Sequence, residues 1–191
     1  QEKIAFTMTE RIVNDCKFIL NCFGIPWLVS PKGYEAEHVA SAMTNADIGD
    51  FVYSTDVDTL MYGAVRLVRD IKIKGKKVLQ LFDLHDLLKD KKLKQDDLRK
   101  IGAIMGCDHC TKTKGIGAMT ILKKYKKTDL TDEQKKAVEV FKRTVNVEKL
   151  KFENEKDKPV SDGKKINKLM DWLEAKNFNR KLIKKQIEKV Y

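Results

Sequence analysis

Five carboxylates in three short runs are the residues of this chain best suited to chemistry: Glu35-Ala36-Glu37, Asp56-Val57-Asp58, and Asp108 a few residues ahead of Gly115-Ile116-Gly117. Hard cations such as Mg²⁺ and Mn²⁺ take oxygen ligands, and Mg²⁺ commonly sits on a few carboxylates plus waters and substrate phosphate oxygens. Acids distributed in this way along a basic chain point to a divalent-metal site that handles a phosphodiester. Each run also has a plainer explanation. An acidic pair in the first turn of a helix is favoured by the macrodipole alone, and Asp pairs often serve as caps or turns. The ordered set carries more weight than any single run.

Elements must bring these acids together. Phe51 to Ser54 reads as a short strand ending at Thr55-Asp56, so the i, i+2 spacing of Asp56 and Asp58 places both on one side of an extended segment. The pair would then lie past a strand's C-terminal end, where open parallel sheets bind their ligands. Residues i and i+2 inside a helix do not face the same way, so Glu35 is expected in the entry turn of a helix running from about Tyr34 to Ala46. Asp108 follows an apolar helical run, Ile101 to Met105, and precedes a Gly-Ile-Gly hairpin whose glycines would let the backbone approach a phosphate closely. Lys112, Lys114, Lys123, Lys124, Lys126 and Lys127 surround that hairpin. They form either a phosphate-binding surface or an ordinary solvated face.

Lys+Arg 39 against Asp+Glu 28 gives a formal net charge of +11, a field that favours a polyanionic partner. With 191 residues and 42% hydrophobic content, the chain can bury one sizeable core or a core plus a small appendage. No apolar run approaches the roughly 20 residues of a membrane span, and Gln1 to Glu10 lacks the apolar stretch of a signal peptide. The expectation is an intracellular protein without a membrane partner. Four cysteines, Cys16, Cys22, Cys107 and Cys110, are too unevenly placed for a secreted disulfide scaffold. Cys107-Asp108-His109-Cys110 has the spacing of a zinc half-site, but Cys16 and Cys22 are too far apart to complete it well, and packing of small thiols is the plainer reading.

Helical periodicity marks residues 8 to 23, with Ile12, Cys16, Ile19, Leu20 and Phe23 as its apolar face and Gly24 as its stop. Ile25 to Val29 reads as a short buried strand, and Val65 to Ile73 and Val78 to Phe82 as strands joined by a turn at Lys74 to Lys77. Beyond Asp83 the pattern is helical, with one helix opening at Thr131 and others from Ile166 to Tyr191, split near Asn177 to Asn179. A polar stretch around Pro159 reads as a connection. Strands alternating with helices predict an α/β fold: a partial, mostly parallel sheet flanked by helices, followed by a helical region.

Gly24-Ile25-Pro26-Trp27, followed by Tyr34-Glu35-Ala36-Glu37, resembles the G-I-P strand and the E-A-E helix of the structure-specific 5′ nucleases of the flap endonuclease and xeroderma pigmentosum group G type. Ser54-Thr55-Asp56-Val57-Asp58-Thr59-Leu60 resembles the family's second acidic run, and Met105-Gly106-Cys107-Asp108-His109-Cys110, leading into Lys114-Gly115-Ile116-Gly117, its last aspartate and helix-hairpin-helix-like element. The resemblance covers about Asn14 to Tyr125. It implies a PIN-like nuclease core over residues 1–105 and a helical DNA-binding region over 106–191, with the hairpin element at 106–127 and C-terminal helices at 131–191.

The implied activity is metal-dependent cutting of branched DNA near a 5′ single-stranded flap, in replication or repair, in the nucleus if the source is eukaryotic. Glu35, Glu37, Asp56, Asp58 and Asp108 would be catalytic ligands of two Mg²⁺ or Mn²⁺ ions. Lys112, Thr113, Lys114, Gly115, Ile116, Gly117, Lys123 and Lys124 would bind DNA, with a monovalent cation at the Lys112 to Gly117 loop. The resemblance also implies an N-terminal segment, with further aspartates and a helical arch, that precedes this part in the family. After Gly117 the family continues with proline and lysine, whereas Ala118 and Met119 stand here, and no sliding-clamp motif is evident. The alternatives are a catalytically inactive nucleic-acid-binding or scaffold protein with a nuclease-like core, and a zinc-stabilised module.

Overall fold

A computed structural model describes residues 7–73, 76–153 and 163–189. In chain order the elements are α1 (Glu10–Cys22), α2 (Ala36–Asn45), β1 (Val52–Tyr53), α3 (Asp58–Tyr62), β2 (Arg66–Ile73), β3 (Lys76–Asp83), α4 (Leu84–Lys91), α5 (Gln95–Met105), α6 (Ala118–Lys124), α7 (Asp132–Phe141), α8 (Gly163–Ala175) and α9 (Arg180–Ile187). The fold is α/β. Contacts divide it into two compact units, residues 1–29 with 150–191, and residues 30–149. This division differs from the one drawn at residue 105 from the motifs.

In the 30–149 unit the sheet has the order β1-β2-β3. β1 runs parallel to β2, pairing Val52 with Leu67, while β2 and β3 form an antiparallel hairpin that pairs Arg66 with Asp83 through Ile73 with Lys76. The described sheet is therefore mixed rather than mostly parallel. Two strands joined by a short connection can only return antiparallel, because a parallel return needs a crossover of a dozen or more residues. Residues 74 and 75 of the expected lysine turn lie outside the described residues.

Helices cover the sheet's start and form the core. Met61 and Tyr62 of α3, Ala103 of α5, Cys110, and Ala137, Val138 and Phe141 of α7 make one buried cluster, and Ile104, Ile121 and Tyr125 make a second. α3 ends at Gly63, whose φ of +95° supplies a left-handed cap. Thr131 and Gln134 close a reciprocal capping box at the start of α7.

In the other unit α1 packs on α8 through Phe18 and Trp172, ring centroids 4.9 Å apart, and the Lys176–Asp15 ion pair at 2.8 Å. α8 and α9 break at Asn177 (φ 67°), and Asn179 caps α9 by accepting from the N–H groups of Lys181 and Leu182. The expected strand at Ile25 to Val29 is not formed. Only Trp27 makes a bridge, to Glu153, while Ile25 and Val29 are 44% and 63% exposed. An apolar run becomes a strand only when a neighbour satisfies its backbone donors and acceptors, and two hydrogen bonds to Glu153 are the pairing found there. Cys16, expected on the apolar face of α1, is exposed, whereas Cys22 is buried. Much of the connection around Pro159, residues 154–162, lies outside the described residues. Among the described residues no helix is long and apolar enough to cross a membrane.

Candidate functional site

Glu35 is the N-cap residue of α2, with extended backbone (φ −79°, ψ 159°), and Glu37 lies in the first turn. The entry-turn placement expected from the sequence is therefore found, and it points the two acids away from the helix interior. Glu35 makes no side-chain cap bond. Its Oε2 instead accepts from the Tyr62 hydroxyl at 2.8 Å, and its Oε1 lies 3.5 Å from His109 Nε2.

The Asp56-Val57-Asp58 segment is not extended. Asp56 Oδ1 accepts the Asp58 N–H at 2.8 Å, and Val57 is already helical at φ −78° and ψ −14°. The run is a turn that launches α3, because an Asp side chain readily captures the N–H two residues on. Ser54 links it to α2: its Oγ accepts the Asp56 N–H at 3.1 Å and approaches Glu37 Oε1 at 3.5 Å.

Asp108 sits in the tight turn after α5, where Cys107 and Cys110 exchange backbone hydrogen bonds of 3.1 Å each. Its own N–H donates to the Asp58 carboxylate. Burial, reinforced by the nearby carboxylates of Asp56 and Asp108, raises the Asp58 carboxyl from its ordinary 3.8 to about 6. Two acidic runs distant in sequence therefore meet at Asp58, and the Glu35-Glu37 run is linked to them through Ser54 and His109. Cys107 is pushed up to about 12, first by burial, so its thiol stays protonated.

The acids are spread more widely than a single-ion ring. Among the described residues, only Asp83, His85 and Asp86 form a group of three whose ligand atoms lie within 4.8 Å of one another. That group is the N-cap of α4: Asp83 Oδ1 accepts the Asp86 N–H and Asp83 pairs with Arg66 at 3.4 Å, which accounts for it without an ion. No such group includes a cysteine, and the 3.4 Å approach of Cys107 Sγ to Cys110 Sγ is a thiol contact. A looser set of carboxylates suits Mg²⁺, which retains several waters that can bridge to protein oxygens.

The Gly-Ile-Gly hairpin is present. Gly115 adopts φ +76° and Gly117 caps the seven-residue α6. Ile116 packs against the Ile104, Ile121 and Tyr125 cluster, so it anchors the loop from within, while Lys112, Lys114, Lys123 and Lys124 are exposed. Gly106 is required by close approach: a Cβ there would lie 2.8 Å from the Lys112 nitrogen, and its φ is +87°.

Four further positions that contact the site or its loop were not singled out by the sequence. Tyr62 lies four residues beyond Asp58 on the same helical face, a signal the spacing carried. His109 adjoins Asp108, and His38 adjoins Glu37. Gln134 is 1% exposed and donates to the Thr111 carbonyl at 3.2 Å and to Thr113 Oγ1 at 2.9 Å, holding the hairpin loop from α7.

The XPG I-region pattern matches residues 24–108. Flap endonuclease 1 of Methanocaldococcus jannaschii is 31% identical over 188 residues, which is 96% of this chain and 56% of that relative. The chain thus spans about half that relative's length. The solved structure of flap endonuclease-1 from Methanococcus jannaschii matches 100% of this chain and 60% of its own, with 26% identity and a TM-score of 0.78. Human GEN1, solved in complex with Holliday junction DNA, matches 61% of this chain and 30% of its own, with 25% identity and a TM-score of 0.52. The family pattern, the relative and the fold agree, and together they support the flap endonuclease and xeroderma pigmentosum group G family for this chain.

Proposed function

We propose that this chain carries most of the catalytic site of a divalent-metal-dependent 5′ nuclease acting on branched DNA that bears a 5′ single-stranded flap. The observation that carries the reading is the meeting of Asp108 with the Asp56-Asp58 run, where burial, Asp56 and Asp108 raise the Asp58 carboxyl to about 6, with the Glu35-Glu37 run tied in through Ser54 and His109. Buried like charges are costly unless a cation offsets them, and the donors are all hard oxygens. Glu35, Glu37, Asp56, Asp58 and Asp108 fit a site for two Mg²⁺ or Mn²⁺ ions. Bound there, the ions would supply an activated water and stabilise the leaving oxygen of the scissile phosphodiester.

The chain's own residues hold the site and the substrate. Ser54 ties Glu37 to the Asp56 turn, and the Asp108 N–H orients the Asp58 carboxylate. Residues 1–105 supply four of the acids, and Asp108 follows just beyond them. In the 106–191 region, the backbone of Lys112, Thr113, Lys114, Gly115, Ile116 and Gly117, with Lys123 and Lys124, would grip duplex phosphates away from the cut, and the loop is where a monovalent cation would sit. The net charge of +11 supports a polyanionic substrate.

A second reading, a nucleic-acid-binding protein that does not cleave, draws on the finding that, among the described residues, no three of the five acids have ligand atoms all within 4.8 Å of one another. Cleavage of a 5′-flap duplex in Mg²⁺ separates the two. Asp58→Ala or Asp108→Ala in the protein containing this chain is expected to abolish cutting and spare flap-DNA binding. Undiminished turnover in either variant sinks the nuclease assignment.

A further inference from the structure

The ring of Tyr62 is fixed by packing that does not involve its hydroxyl. It is 6% exposed, His38 stacks on it at 4.4 Å and 17°, and Phe141 meets it edge-on at 4.9 Å. His38 is in turn tied through Nε2 to the Arg143 carbonyl at 2.7 Å. From this fixed ring the hydroxyl reaches Glu35 Oε2 and His109 Nε2, each at 2.8 Å.

The chemistry of the three groups assigns their protons. An ionised carboxylate can only accept, so the single phenolic proton goes to Glu35. The phenolic oxygen then needs a donor, and His109 must carry its proton on Nε2. The same N–H faces Glu35 Oε1 at 3.5 Å, and the His109 ring is held against Phe141 with centroids 5.4 Å apart. Glu35 has no cap bond to α2, and its side chain is 46% exposed. Without Tyr62 and His109 it would sample solvent.

We propose that Tyr62 and His109 are positioning residues that set the Glu35 carboxylate for cation binding; this rests on the metal-centre reading above. α3 thereby contributes twice, through Asp58 at its start and through Tyr62 at its end, which holds the α2 acid in place. Outer partners of this kind govern metal affinity because they remove the freedom a ligand must otherwise lose on binding.

Titration calorimetry with Mn²⁺ alone tests the role. Tyr62→Phe keeps the ring packing, so its melting temperature should stay within a few degrees of the parent while Mn²⁺ affinity falls about tenfold. The same substitution should add little in a Glu35→Gln background. His109→Leu should behave like Tyr62→Phe, whereas His109→Gln, which keeps a donor, should recover most of the affinity. Imidazole ¹⁵N shifts should show His109 protonated on Nε2 in the parent. Unchanged Mn²⁺ affinity in both Tyr62→Phe and His109→Leu, or a His109 protonated only on Nδ1, overturns this role alone. Absence of Mn²⁺ binding by the parent overturns the metal reading and this role with it.

Discussion

Asp58 is held back from ionising by its surroundings. Its folded carboxyl titrates near 6 against an ordinary 3.8, first because it is partly buried and then because Asp56 and Asp108 repel its charge. Between those values the folded protein retains a proton that the unfolded chain has released. Stability from this group is therefore fully present below about pH 4 and is lost as pH rises through about 6. Metal-free Asp58→Asn should lack that decline and melt above the parent at pH 7 to 8, as thermal scans across pH would show; a variant that melts lower at every pH contradicts the assignment. Cation binding has the opposite slope, since the ion must displace the proton. Mn²⁺ affinity of the parent should accordingly strengthen between pH 5 and 7, measured by calorimetry. These effects were partly legible in the sequence, because the acids stood out by type. The raised titration was not, since it arises from the approach of residues fifty positions apart.

At the scale of elements, the helices and their ends follow local chemistry. Thr9, Thr131 and Asn179 cap helices by accepting backbone N–H groups, and Gly63 ends α3 with a positive φ. Such signals act within four residues and can be read from the chain. Pairing cannot: Ile25 to Val29 has the composition of a strand and is not one, because composition does not supply a neighbour. The hairpin loop after α5 depends on α7 in the same way. Gln134→Leu would leave the Thr111 carbonyl and the Thr113 hydroxyl without this partner, at a cost of about 1–3 kcal/mol, and should also weaken duplex binding through the loosened loop. Chemical denaturation and a DNA titration check both effects. Phe141, 1% exposed and in contact with Tyr62 and His109, should cost about 3–5 kcal/mol when cut to alanine. A loss below 1 kcal/mol would place the core elsewhere.

For the molecule as a whole, the excess of lysine and arginine over acid predicts a partner rather than a fold. Duplex affinity should fall steeply between 50 and 200 mM salt, because phosphate contacts release counterions. Replacing Lys123 and Lys124 together should lower the salt slope by about 2 if both contact phosphates; an unchanged slope in a filter-binding series removes them from the interface. The order of the acidic runs also belongs to this scale, and the family match over residues 24–108 spans all three.

The sequence by itself determined the acid runs, the glycine hairpin, the helix caps and the charge, all of which depend on residue type and spacing over a few positions. Only the tertiary structure decided that the sheet is mixed, that Asp56 and Asp58 form a turn into α3, and that Tyr62 and His109 meet Glu35. Those facts depend on which distant segments come within hydrogen-bonding distance. That proximity is set by burial of the shared core around Met61, Ala103 and Phe141, not by any local pattern along the chain.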